Sequence, residues 1–108
     1  MKANYWQRGE SLDYTNTTTE KIEANTIVAF GGRVGVVGTD IEPGQLGSIF
    51  VGGAVFEMPK SDTGAIEAGK DVFWDGDGIT ATSGDVRAGY AAQAAEATDK
   101  TILVRLDG

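Results

Sequence analysis

The 108-residue chain has no cysteine and no histidine. Without cysteine there is no disulfide framework, no thiolate nucleophile and no thiolate metal ligand. Histidine is the commonest metal ligand and the usual general base near neutral pH. Losing both residue types removes most hydrolase, protease and zinc-enzyme readings, so the expectation is no enzyme, no catalytic residues, no metal and no cofactor. Proline is scarce, with Pro43 and Pro59 the two copies. Positive charge is scarce too, with 9 Lys and Arg against 16 Asp and Glu and a formal net charge of −7. Nucleic-acid affinity comes mainly from Lys and Arg neutralising phosphates. A chain of this sign, with no basic cluster, is repelled by DNA and by anionic membrane. The apolar runs are short and broken by glycine, far from the ~20 residues of a membrane span. The stretch Met1-Lys2-Ala3-Asn4-Tyr5-Trp6 lacks the apolar core of a signal peptide. A soluble protein made in a cytoplasm, binding neither nucleic acid nor membrane, is expected.

Hydrophobic residues make up 41% of the chain, enough to argue against wholesale disorder. The length suits one domain over residues 1–108. Glycine organises the sequence, with 16 copies punctuating apolar runs of strand length. That pattern predicts an all-β fold, a small single-domain β-barrel or sandwich with short strands and Gly-rich turns. An extended N-terminal segment, residues 1–16, precedes it. Asn4–Arg8 is a first strand or an arm, Ser11–Tyr14 a weaker strand, and Thr15–Thr19 an exposed polar loop or edge. Strands are expected at Thr26–Phe30 and Arg33–Thr39, separated by a tight turn at Gly31-Gly32. Gly47–Met58 is the longest run, with Gly52-Gly53 as a bulge or bend. Asp71–Trp74, Ile79–Thr82, Val86–Ala94 and Thr101–Leu106 complete the set. Alternation puts Ile102, Val104 and Leu106 on one face, and Phe50, Ala54, Phe56 and Met58 on one face of their run. Ala91–Ala97 has the composition of a short helix but is read as strand.

One pattern recurs. Ile22-Glu23-Ala24-Asn25, Ile41-Glu42-Pro43-Gly44 and Ile66-Glu67-Ala68-Gly69 each combine Ile-Glu, then Ala or Pro, then Asn or Gly. The third residue suits a turn's first corner, and the fourth tolerates positive φ. The reading is a turn that anchors its Ile under the barrel. Unequal spacing makes this repeated turn chemistry and not a solenoid.

Motifs with a chemical reading are weak. Asp75-Gly76-Asp77-Gly78 offers two close carboxylates to a hard cation. The next alternate position is Ile79 and the closing glutamate of a calcium loop is Val86, so an Asp-Gly hairpin turn is the better account. The glycine-rich stretch Gly31–Gly38 fits neither the dinucleotide fingerprint nor the phosphate loop. The carboxylates are scattered over expected loops, as solvated acidic residues usually are. Tyr5 and Trp6 form an aromatic pair. They either seal an end of the core or anchor a contact with a neighbouring subunit or partner. Trp74, inside a strand, suits core or subunit contact.

The order of segments resembles the capsid cement, or head-decoration, proteins of tailed bacteriophages. Asn4-Tyr5-Trp6-Gln7-Arg8-Gly9 is similar to that family's opening Asn-aromatic-x-Gln-x-Gly, and Leu12-Asp13-Tyr14-Thr15-Asn16 to the segment after it. Val34-Gly35-Val36-Val37 and Asp40-Ile41-Glu42-Pro43-Gly44 resemble its Val-Gly-Val-Ala and Asp-Ile-Ala-x-Gly stretch. Val55-Phe56-Glu57-Met58-Pro59-Lys60 resembles Val-Phe-x-Leu-Pro-Lys, the most specific piece, with Ala54 where glycine is usual and Met58 where leucine is usual. Ala65–Asp75 resembles Ala-Ile-x-x-Gly-Asp-x-Val-Tyr-Trp-Asp, and Ile102–Leu106 the last strand. The resemblance implies a structural virion protein on the outer surface of the capsid, stabilising the head. Its implied partner is the major capsid protein, and it implies a homo-oligomer, with a trimer favoured. Candidate capsid or subunit contacts are Tyr5, Trp6, Gln7, Arg8, Tyr14, Met58, Pro59 and Lys60. The alternative is a small acidic β-barrel binding module for a peptide or carbohydrate, unrelated to capsids. It would be a monomer with a concave aromatic-lined pocket.

Overall fold

The structure is a computed structural model and describes every residue except Trp6, Arg8, Gly84, Asp85 and Gly108. Among the described residues nine strands follow one another: β1 Ser11–Thr15, β2 Ile27–Phe30, β3 Arg33–Val37, β4 Leu46–Phe50, β5 Gly52–Pro59, β6 Asp71–Trp74, β7 Ile79–Thr80, β8 Val86–Ala91 and β9 Thr101–Asp107. All belong to one curled sheet that forms a half-barrel. No helix occurs among the described residues, so the fold is all-β, as composition and glycine spacing predict.

Local chemistry explains most strand ends. Gly31-Gly32 closes the β2–β3 hairpin at the Phe30–Arg33 pair. The long run from Gly47 breaks at Val51. β5 starts after it with a register shift between Gly52 and Val55, where Gly53 has φ 75. Ala54, Phe56 and Met58 face inward as expected. Phe50 lies before the break and stays 40% exposed, its ring 5.8 Å from that of Phe56. Ile102, Val104 and Leu106 are buried, matching their alternation. Ala91–Ala97 is neither helix nor continued strand. β8 stops at Ala91, and Ala95 exchanges backbone hydrogen bonds with Ile66 at 2.8 and 2.9 Å, which binds the amide a helix would need.

Two halves of the chain repeat one hydrogen-bonding plan. In the first, β1 pairs with β4, β4 with β3, and β3 with β2. In the second, β5 pairs with β9, β9 with β8, and β8 with β6. The Ile-Glu turns punctuate this plan. Ile22 and Ile41 exchange backbone hydrogen bonds at 2.9 and 2.8 Å, as Ile66 and Ala95 do. In each turn the glutamate carbonyl accepts from the amide three residues on: Glu23 from Thr26, Glu42 from Gln45 and Glu67 from Lys70. Asn25, Gly44 and Gly69 supply the positive φ that the sequence pattern anticipates. Ala95-Glu96-Ala97-Thr98 is a fourth member, with Glu96 accepting from Asp99 at 3.1 Å. The halves meet where Arg33 pairs with Arg87 in parallel. These residues hold corresponding places in the two plans, an arrangement that a two-fold axis running along the strands produces.

Each half has its own core. Val37, Ile41, Ile49 and Val51 form the first, with Tyr14, Ile22, Val28 and Phe30 packed against it. The corresponding residues of the second, Ala91, Ala95, Val104, Leu106, Met58, Ile66, Val72 and Trp74, all belong to the larger cluster. Sizes are exchanged between the halves. The first puts Ile41 over Gly47, where an added Cβ would meet the Ile41 side chain at 2.5 Å. The second puts Ala95 in the place of Ile41 and Ile102 in the place of Gly47, keeping the summed volume similar.

The Thr15–Thr19 stretch is exposed at the end of an edge strand, as expected of a polar loop or edge, except at Asn16. Thr15 is the last residue of β1, and Asn16 is fully buried. Its Nδ2 donates to the Glu20 and Ile41 carbonyls, both at 2.8 Å, and its Oδ1 accepts from the Thr18 amide and hydroxyl. Every polar atom of the side chain is used, which is what makes a buried Asn tolerable.

The exchanged sizes give a coupling test. Gly47→Val alone is expected to cost about 1–3 kcal/mol by overpacking and Ile41→Ala alone about 2–4 kcal/mol by cavity formation. The double variant should be at least about 1 kcal/mol more stable than the sum of the two costs implies. Urea unfolding of the four proteins measures this, and simple additivity would contradict the packing argument.

Candidate functional site

The described residues of the segment before β1, Met1–Tyr5, Gln7, Gly9 and Glu10, are exposed and in no strand. Tyr5 is 84% exposed. The Gln7 side-chain amide donates to the Ser11 carbonyl at 3.3 Å. Trp6 and Arg8 fall outside the described residues. The rest of the stretch 1–16 is integrated: β1 is paired along its length with β4, and Asn16 is buried.

The other candidate contacts divide by burial. Tyr14 is half-buried against the first core. Met58 is 1% exposed and belongs to the second core, because the inward alternation of β5 places it there. Pro59 is exposed at the end of β5. It has no amide to leave unpaired, which suits an edge strand. Lys60 is half-buried, its ammonium donating to the Asp62 carbonyl at 2.5 Å. Among the six described candidates, Tyr5, Gln7 and Pro59 lie at the surface, Tyr14 and Lys60 are half-buried and Met58 is buried.

Sequence reading did not single out the exposed apolar side chains of β4 and β5. Leu46 and Phe50, on one face of β4, are 64% and 40% exposed, and Val55 is 52% exposed. The only sequence signal for them is alternation, which cannot separate an outward from an inward face when both carry apolar residues. A groove of about 320 Å³ lies between the start of β2 and the end of β5, lined by Ile27, Val36, Phe56, Glu57, Met58 and Pro59 with Asn25. Beside Val55 in register is Arg105, whose guanidinium lies 5.8 Å from the centre of the Tyr90 ring.

The carboxylates with shifted acidity serve turns. Asp75 accepts from the Ser61 hydroxyl at 2.7 Å and from the Asp77 and Gly78 amides at 2.8 and 2.9 Å. These bonds, the Ser61 bond foremost, hold its pKa below the ordinary value. Asp62 accepts from the Gly64 and Ala81 amides and the Thr80 hydroxyl. The Gly64 amide leads in pulling its pKa down. Asp75-Gly76-Asp77-Gly78 is thus the hairpin turn between β6 and β7, its first carboxylate turned inward to cap the loop. No group of three or more potential metal-ligating side chains occurs among the described residues. Arg87 bridges Asp107 and Asp71, and these two bonds raise its pKa.

Depressed carboxylate pKa values favour the folded state at pH values above the unfolded-state pKa. That contribution is lost as pH falls through the folded-state values. Stability should therefore decline as pH drops from about 5 toward 2. In the Asp62→Asn, Asp75→Asn double variant the decline should be shallower, measured by urea midpoints across that range. An unchanged acid slope would contradict the turn-cap account.

A family model for phage cement proteins matches residues 6–106. No curated protein and no solved structure matches the chain. The match spans both halves of the duplicated plan, from the segment before β1 to the penultimate described residue of β9. The all-β fold, the exposed N-terminal segment and carboxylates committed to turns accord with a structural role, and the chain belongs to the phage cement protein family, which is associated with the virion capsid.

Proposed function

We propose that this protein binds the outer surface of the phage head and stabilises it by bridging neighbouring subunits of the major capsid protein. The observation that carries the reading is the family match over residues 6–106. Its support in the structure is physical. Cementing needs surface shared across subunit boundaries and no reaction, and the role is structural, not catalytic. The chain is made in the host cytoplasm and acts on the assembled shell.

The segment before β1 is the proposed contact, with Tyr5, Trp6, Gln7 and Arg8 as its residues and Pro59 and Lys60 as a second point of contact. Aromatic and arginine side chains anchor interfaces well. An extended segment docks by adding a strand to a neighbouring sheet, where main-chain hydrogen bonds give affinity. Several copies held together, three in the favoured arrangement, gain from effective concentration, so each contact can be modest.

Deleting residues 1–8 should weaken co-sedimentation with expanded, undecorated heads at least about tenfold, the loss expected when interface anchors are removed. Undiminished binding would contradict the proposal. The net charge of −7 keeps free copies off DNA. Fluorescence anisotropy at physiological salt should show no micromolar affinity for duplex DNA, and finding one would contradict that part.

A further inference from the structure

The duplicated plan contains one unequal place. In the second half, β6 has β8 on one side and β7 on the other, with Phe73 paired to Thr80 and Trp74 to Ile79. Ile79 is fully buried and seals the second core, and its carbonyl accepts from the Ser61 and Asp62 amides. In the first half β2 corresponds to β6. The connection from β2 to β3 is only the two-residue turn Gly31-Gly32, so no strand corresponding to β7 can form there. Among the described residues β2 pairs with β3 alone.

The cores register this difference. Met58, Ile66 and Val72 are exposed by 1, 2 and 0%, whereas their counterparts Tyr14, Ile22 and Val28 are only partly buried. Along β2 the Thr26 carbonyl accepts from Val37. Strand alternation then turns Val28 and Phe30 toward β3, and the amides and carbonyls of Ile27 and Ala29 away from it. The corresponding outward groups in the second half, at Phe73, are those that β7 engages. The fold thus shows, in its own second half, what covers this edge: a short extended strand with an apolar side chain over the core.

We propose that the open edge of β2 is a socket for the N-terminal segment of a second copy of this chain, seated as a strand beside Ala29 with Tyr5 over the first core. Donor and socket occur in the same chain, and Tyr5 is 84% exposed while β2 pairs with β3 alone among the described residues. Charge favours the exchange. Lys2 and Arg8 precede Glu10, the first acidic residue, so the segment holds two of the nine basic side chains and none of the 16 acidic ones. The rest of the chain holds the other seven basic residues and all 16 acidic ones, so its net negative charge attracts the segment. Donor and socket are different patches, so the contact is head-to-tail, and copies close into a ring when the rotation permits.

Sedimentation equilibrium of the full chain at micromolar concentration, without heads, tests this. The expected result is an oligomer whose dissociation constant rises at least about tenfold in Tyr5→Ala, the size of a lost interface anchor. Ala29→Pro should act likewise, since it removes an outward-facing amide from an edge strand. Circular dichroism melting shows whether Ala29→Pro folds. If it does not, Tyr5→Ala decides, because that side chain is exposed and outside the sheet. A monomeric wild-type chain overturns the proposal, whether its segment is seated in its own socket or the socket is reserved for a capsid strand. An oligomer indifferent to Tyr5→Ala overturns it as well. Because no capsid is present, neither result measures head binding; a copy whose segment fills a neighbour's socket meets the capsid through Pro59 and Lys60, and deleting residues 1–8 then weakens head binding through lost multivalency.

Discussion

Two reciprocal pairs of backbone hydrogen bonds, Ile22 with Ile41 and Ile66 with Ala95, fix the rest of this fold. Each joins two turns that lie far apart in the chain and holds them at one end of a four-strand unit. The exchange places Ile41 or Ala95 over its core and starts the following strand in register. Because the same device is used twice, the two units share strand pairing, and their third strands, β3 and β8, meet in parallel at Arg33 and Arg87. The longer β6–β8 connection that carries β7 departs from the shared plan and leaves the units unequally covered.

Much of this was legible in the sequence because turn chemistry is local. The Asn or Gly at the fourth place of each Ile-Glu turn needs positive φ, and Asn25, Gly44 and Gly69 have it. The fourth turn stayed hidden because packing altered its letters. Ala95 can replace an isoleucine only because Ile102 fills the space that Gly47 leaves in the other half, and that compensation needs the strand register to be seen. Asn16 was hidden for a related reason. In sequence it sits among threonines as a loop residue, and its burial depends on carbonyls of Glu20 and Ile41 brought to it by the fold. Pairing of duplicated units in one sheet is non-local and leaves no spacing signal.

The contact residues were the least legible part. An interface is defined by a partner's surface, and one chain's alternation reports only inward against outward. Met58 illustrates this: it belongs to the segment most specific to the family, yet its side chain lies in the core. Such a segment can serve packing, with its neighbour Pro59 exposed. The aromatic segment before β1 differs, since nothing in the fold requires Tyr5.

An all-β body, Asp62 and Asp75 committed to turns, an exposed Tyr5 and a family match across both units make one account: a structural element associated with the phage capsid. Cryo-microscopy of mature heads carrying this protein tests it most directly. The account predicts density for the chain on the outer face of the shell, straddling boundaries between major capsid protein subunits. Density inside the shell, or contacts confined to a single capsid subunit, would contradict it.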